Sequence, residues 1–280
     1  MIPPEFDYVA PESLDEVLAA LREGGEDAKL LAGGHSLLPL MKLRLAAPTL
    51  LVDLRRVPGL AGIERGDGTV RIGAMTRHHA IATAGLGLVS QAAGTIADQQ
   101  VRNRGTIGGS LAHGDPASDL PAVVLAMDGS VVVRGPEGER EVPAEELFQD
   151  YLTTAVGPQE VITEVRLPAL DGYGHGYRKF NRRQEDWAMV AVSALVRRGA
   201  DGSCEDVRIG LTHMGSVPLR ATGVEEALRG QPLDAERIAA AAELAAEGTD
   251  PPADLNATSE YKQHLARVLC RRALEDAVAG

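Results

Sequence analysis

The sequence predicts an α+β protein: two mixed helix-and-strand units, then a module of antiparallel strands followed by helices. Three observations carry that prediction. Up to residue 172, segments with strand-like alternation interleave with segments of helical spacing. Past the break Asp171-Gly172-Tyr173-Gly174 the order changes to strands in succession and then helices. Each of the first two units also holds one short glycine turn, Ala32-Gly33-Gly34-His35-Ser36 and Thr106-Ile107-Gly108-Gly109-Ser110.

The elements follow in order. Ser13-Leu14-Asp15-Glu16 reads as a capping box, opening a helix on which Leu14, Val17, Leu18 and Leu21 share a face. Gly24-Gly25 ends it. Residues 29–32 form a strand entering the first glycine turn, and residues 50–54 a second, closing a β-α-β unit (1–54). In the next unit (55–172), residues 69–74 alternate as a strand and Thr76 is placed to cap a short helix. Residues 88–100 read as a helix leading through Val101-Arg102-Asn103-Arg104 into the second glycine turn. A helix over 119–127, a strand over 130–134 and a strand over 161–167, stopped by Pro168, complete it. In the last module (173–280), residues 176–180, 188–197 and 207–213 predict a three-stranded antiparallel sheet. Helices follow over 221–228, 235–246 and 259–278, the last amphipathic through Tyr261, Leu265, Val268, Leu269 and Leu274.

Composition narrows the function classes. Against 40 acidic residues stand only 28 basic ones, a net charge of −12, which argues against nucleic acid as a partner. Cys204 and Cys270 lie far apart and outside any C-x-x-C, too few to ligate an iron–sulfur cluster or build a cysteine zinc site. They read as buried thiols in a reducing compartment. The start Met1-Ile2-Pro3-Pro4-Glu5 has neither the basic residues nor the apolar core of a secretory signal, and no apolar stretch is long enough to span a bilayer. The expectation is a cytoplasmic protein.

Glycine allows close approach of a backbone to a ligand and positive φ at no steric cost. Successive N–H groups in such a turn form a concavity for anions. Two such turns point to a ligand with two phosphates, such as a dinucleotide, although a Gly-Gly pair is also an ordinary tight turn. Neither turn reads G-x-x-x-x-G-K-[ST] or G-x-G-x-x-G, so ATP and NAD on their usual folds are poor candidates. There is no G-x-S-x-G, no H-E-x-x-H and no metal-ligand spacing among the seven histidines. The adjacent His78-His79 read as surface residues; His35 and His113, each near a glycine turn, read as hydrogen-bonding or packing residues. A bound cofactor is therefore expected to carry the chemistry. Asp119 has two readings, a plain N-cap or a holder of a ribose or ribityl hydroxyl. The stretch from Lys179 to Ala188, with the sole tryptophan Trp187, is either a solvated hairpin or a lid over a cofactor, and composition favours the hairpin.

Three motifs in order, A-G-G-H-S at 32–36, T-I-G-G-S at 106–110 with A-H-x-D-P-x-x-D-L-P behind it, and K-F-x-R-R-x-x-D-x-A at 179–188, carry a resemblance over nearly the whole chain. Together they resemble the FAD-binding medium subunit of the molybdenum hydroxylases, the xanthine dehydrogenase and aerobic carbon monoxide dehydrogenase family. The resemblance implies a two-part FAD-binding domain of the p-cresol methylhydroxylase type, units 1–54 and 55–172, with FAD extended between them. By position, Ala32, Gly33, Gly34, His35 and Ser36 would form the first diphosphate cradle, and Thr106, Gly108, Gly109 and Ser110 the second. Asp119 would contact the cofactor, and Lys179, Trp187, Ile162 and Leu167 would lie near the flavin. Two departures, Ser110 where asparagine is common and Gly114 where alanine is frequent, both keep the space small.

The implied function is electron transfer. Molybdopterin on a large partner subunit and [2Fe–2S] clusters on a small one would feed FAD, which would pass electrons to NAD, a quinone or dioxygen; the assembly implied is a dimer of heterotrimers. Catalysis by a side chain of this chain, or a metal held by it, is not expected. One rival is a stand-alone FAD-dependent oxidase of the same wider fold with flavin linked to His35, against which stands the lack of a substrate domain of usual size. The other is a non-catalytic binding or assembly protein.

Overall fold

The computed structural model describes residues 2–280. The chain begins with a small parallel sheet of β1 (Asp7–Val9), β2 (Ala28–Leu31) and β3 (Leu50–Asp53) in the order β1-β3-β2. The crossovers are α1 (Leu14–Gly24) and α2 (Leu37–Lys42). Ser13 Oγ accepts the Glu16 N–H at 3.2 Å, while the Glu16 carboxylate accepts from Glu12 N rather than from the cap itself. Val17 and Leu21 of α1 share a buried cluster with Val52 that extends to Leu60, Met75 and Val161 of the following unit. The sequence gives no sign of β1, because all three of its residues are exposed and show no alternation.

The second sheet is fully antiparallel. It comprises β4 (Ile63–Gly66), β5 (Thr69–Gly73), β6 (Ser130–Gly135), β7 (Gly138–Pro143) and, after a ribbon of β8 (Phe148–Asp150) and β9 (Thr153–Thr154), β10 (Val161–Pro168). The spatial order is β4-β5-β10-β6-β7, so the last strand in sequence is the central one. Its helices are α3 (His78–Thr83), α4 (Leu88–Gly94), α5 (Gln99–Arg102), α6 (Ile107–His113), α7 (Asp119–Ala126) and α8 (Ala144–Leu147).

Four expectations need correction here. Thr76 caps nothing; its hydroxyl bridges Gly62 N and O at 3.0 Å each, and Arg77 is the cap of α3. The helix over 88–100 breaks in two, since Ala97 takes φ +40 and Asp98 caps α5 by accepting from Val101 N. The second glycine turn is the first turn of α6, capped by Thr106. Asp119 is not an N-cap; Ser118 holds that position and Asp119 begins α7.

The last sheet is antiparallel and follows chain order: β11 (Tyr173–Phe180), β12 (Val190–Arg198), β13 (Cys204–Thr212) and β14 (Leu219–Arg220). The predicted three strands thus gain a fourth, two residues long and too short to show a period. Helices α9 (Thr222–Leu228), α10 (Ala235–Ala242) and α11 (Ser259–Ala279) complete the chain. From Val190 to Val196, β12 is buried on both faces, with α11 against one and α7 against the other. All eight residues of α7 are buried, as an all-round apolar helix requires. Gly210 of β13 lets α7 come close: a β-carbon there would lie 2.2 Å from Ala122 O. Through α7 the second core continues into the third sheet, reaching Tyr177, Ala191 and Leu195. Both cysteines are buried and unbonded, as expected.

Candidate functional site

A cleft of about 580 Å³ opens where the turn after β2, the start of α6, the β9–β10 connection and the β11–β12 hairpin meet. The two glycine segments form one end. Gly34 has φ +78, in the left-handed region glycine favours. Among the described residues, none accepts a hydrogen bond from the main-chain N–H groups of Gly33, Gly34, His35 or Ser36. A row of unpaired donors in a turn is an anion nest. Gly33 also touches the other segment; a β-carbon on it would lie 2.5 Å from Arg104 O and 2.8 Å from the Gly105 Cα.

The second segment works differently. From Ile107 onward its N–H groups are engaged: Ile107 donates to Thr76 O, Gly108 to Ala74 O, Gly109 to Thr106 Oγ1 and Ser110 to Thr106 O. What Gly108 supplies is proximity, for a β-carbon there would meet Ala74 Cβ at 2.5 Å and Ala74 O at 2.8 Å. That contact seats α6 on the end of β5 with Gly109 and Ser110 at the cleft wall. The first turn therefore holds the free donors, and the second contributes close approach and space.

The other end is built on β11. A strand period of two puts Tyr177 and Lys179 on one face. Tyr177 Oη donates to Asp119 Oδ1 at 2.5 Å, and Lys179 Nζ pairs with Asp119 Oδ2 at 3.0 Å and reaches Thr95 O at 3.4 Å. The Lys179 and Asp119 side chains are only 6% and 5% exposed, so each charge depends on the other. Burial, then the Asp119 charge, pushes the Tyr177 phenol well above its usual value and keeps it a donor. Trp187 stands half exposed at the rim, on a hairpin whose loop is solvated as composition favoured.

Ala32, His35, Ser36, Thr106 and Ile162 also line the cleft. Leu167 does not. It is five residues beyond Ile162, roughly 16 Å along the strand, and is fully buried opposite Val70 against Gly129. His78 corrects the surface reading: it is 5% exposed and lines the cleft, whereas His79 is exposed and bonds Gln99. Tyr177 was missed although its two-residue spacing from Lys179 signals a shared face. His113 lines the cleft with its Nε2 4.0 Å from Asp115.

An anion nest at one end of a long cleft and a buried, paired cation at the other suit an extended dinucleotide. Residues 4–170 match the family described as FAD binding domain in molybdopterin dehydrogenase, which makes this an FAD-binding flavoprotein. Residues 175–277 match the CO dehydrogenase flavoprotein C-terminal domain. The carbon monoxide dehydrogenase medium chain of Hydrogenophaga pseudoflava is 44% identical over 285 residues, covering 100% of this chain and 99% of that one. The 6-hydroxypseudooxynicotine dehydrogenase complex subunit alpha of Paenarthrobacter nicotinovorans is 41% identical, covering 99% and 96%. A solved structure of the Hydrogenophaga enzyme, in a form lacking the Mo-pyranopterin moiety, superposes with a TM-score of 0.96 at 44% identity, covering 100% of this chain and 99% of its counterpart. The chain belongs to the FAD-binding medium subunits of the molybdenum hydroxylases, the carbon monoxide dehydrogenase and xanthine dehydrogenase family, and is the FAD subunit of an oxidoreductase. Among the described residues, no helix is long and apolar enough to cross a membrane.

Proposed function

We propose that this chain carries electrons from [2Fe–2S] clusters of a small partner subunit to an external acceptor (NAD, a quinone or dioxygen), within an assembly whose large subunit holds the molybdopterin. Bound FAD would supply the redox chemistry, which is the cofactor's own. The observation that carries the reading is the undonated N–H row from Gly33 to Ser36 facing the cleft. Those donors would hold the diphosphate, with Gly108 and Gly109 keeping the facing wall free of side chains. At the far end Lys179, fixed by Asp119 and Tyr177, would present a cation toward the isoalloxazine, and Trp187 at the rim would lie near it.

On this reading the units 1–54 and 55–172 hold the cofactor between them, and 173–280 supplies the hairpin. The clusters belong to another chain, because Cys204 and Cys270 are separately buried and a [2Fe–2S] centre needs about four ligands. The substrate is set outside this chain as well. Relatives 44% and 41% identical are named for carbon monoxide and for 6-hydroxypseudooxynicotine, two unrelated molecules.

The test is an absorption spectrum of the purified protein, repeated on the supernatant after acid precipitation, with the released flavin identified by chromatography. FAD wholly in the supernatant is the expected result. Colour left in the pellet would instead mean flavin linked to His35, and no colour after adding FAD would overturn the reading.

A further inference from the structure

His78 is the cleft residue whose chemistry is unspent. It opens α3, its backbone N–H donates to Gly105 O at 3.0 Å, and its ring packs against Gly105. A β-carbon on Gly105 would lie 2.6 Å from the ring Cδ2 and 2.9 Å from Nε2, so that edge faces the glycine segment. The opposite nitrogen, Nδ1, is sealed from solvent and has no hydrogen-bond partner. Among the described residues no group bonds Nε2, and His78 lines the cleft together with Thr106 and His35.

This arrangement fixes the tautomer. A neutral imidazole carries one N–H and one lone pair. A sealed N–H without an acceptor is among the rarest arrangements in proteins, whereas an unsatisfied acceptor is better tolerated. The proton therefore sits on Nε2, at the cleft, and the lone pair is the buried orphan. Burial, then the nearby His35 and Arg77 charges, pushes the ring down to about 4, so it is neutral at physiological pH. Gly33 touches Gly105 and Gly105 touches His78, which sets this donor next to the N–H row of the first turn.

We propose that His78 is a further cofactor-binding residue, donating its Nε2–H to a diphosphate oxygen of the FAD held at Gly33–Ser36. The proposal rests on the FAD reading above and adds a side-chain donor to a nest otherwise made of main chain. The competing role is a packing wedge between α3 and Gly105, which any ring of the same size would fill.

Flavin titrations of the FAD-free protein compare the wild type with His78→Gln, whose amide nitrogen can occupy the Nε2 position, and His78→Phe, which fills the volume without a donor. A hydrogen bond to a charged group predicts roughly ten- to hundredfold weaker FAD binding for His78→Phe. His78→Gln is expected to stay within several-fold of the wild type. Wild-type protein labelled with ¹⁵N-histidine supplies a second reading independent of the variants. The His78 ring is expected as the Nε2–H tautomer, its Nε2 resonance moving on addition of FAD or ADP and not of riboflavin, which lacks the diphosphate. Equal losses in both variants, a phenylalanine variant that binds FAD normally, or an Nε2 resonance that FAD leaves in place would overturn the assignment. Movement with riboflavin alone would overturn the diphosphate contact. Wild-type protein that takes up no FAD would overturn the functional reading and this one together, whereas normal FAD binding with any of the other failures overturns only the role of His78.

Discussion

At the residue scale, the cleft places unlike demands on single positions. Gly34 must adopt φ +78, and a β-carbon there would lie 2.9 Å from the Leu38 Cδ1. Gly34→Val is therefore expected to purify without flavin and to lose about 2 kcal/mol of stability, the usual cost of a strained backbone; chromatographic FAD quantitation and urea melts check both. His78 makes a pH prediction whose sign follows from its neutral burial. Its folded value near 4 lies below the ordinary 6.5, so the unfolded chain takes up the proton first as the pH falls. Stability should then drop between pH 6.5 and 4 by up to roughly 3 kcal/mol. Urea melts of FAD-free wild type at pH 7 and 5 are expected to differ more than those of His78→Gln, with His35, also lowered by burial, contributing to both. The glycines of both turns, Asp119, Lys179 and Trp187 were readable because sequence motifs mark them. His78 was not, since adjacent histidines on a short helix carry no sign of which one a distant segment such as Gly105 will cover.

At the scale of elements, the instructive case is α6. Two adjacent glycines cost a helix about 2 kcal/mol of intrinsic propensity, so residues 106–110 read as a turn. What makes them helical is tertiary: the Thr106 cap, the Gly108 N–H on Ala74 O, and a fit against β5 that only glycine permits. The missing strands have the opposite cause. β1 and β7 are edge strands, exposed along nearly all their length, and show no apolar face to read. Most strands that were legible, among them β2, β3, β6, β10, β12 and β13, carry several buried residues. The β11–β12 hairpin joins both kinds, buried at Tyr177 and solvated at its tip. Because Trp187 stands half exposed on that tip, Trp187→Ala is expected to leave the unfolding midpoint nearly unchanged, within about 0.5 kcal/mol. It should alter the flavin absorption bands or fluorescence; an unchanged flavin spectrum would take Trp187 out of the site.

At the scale of the whole molecule, the cleft draws its walls from the three larger sheets. Order along the chain and the change of pattern near residue 172 were enough to read the architecture. The joining was not legible, because it depends on α7 passing its apolar surface to two sheets at once. A ligand lodged among three units stabilises them jointly, and free FAD at a hundred times its dissociation constant should add about 2.7 kcal/mol. Thermal melts of the FAD-free protein should shift upward with added FAD as a single transition; a transition that splits, with only part moving, would show that the units respond separately. The position of β10 has a bearing on biosynthesis. It is the central strand of the second sheet, yet it leaves the ribosome almost a hundred residues after its neighbour β5 and some thirty after β6. Until then β5 and β6 have no common partner, and each exposes an edge open to chance pairing. A nascent chain stalled before residue 161 would thus hold the glycines of both turns without the strand that joins their surroundings into one sheet.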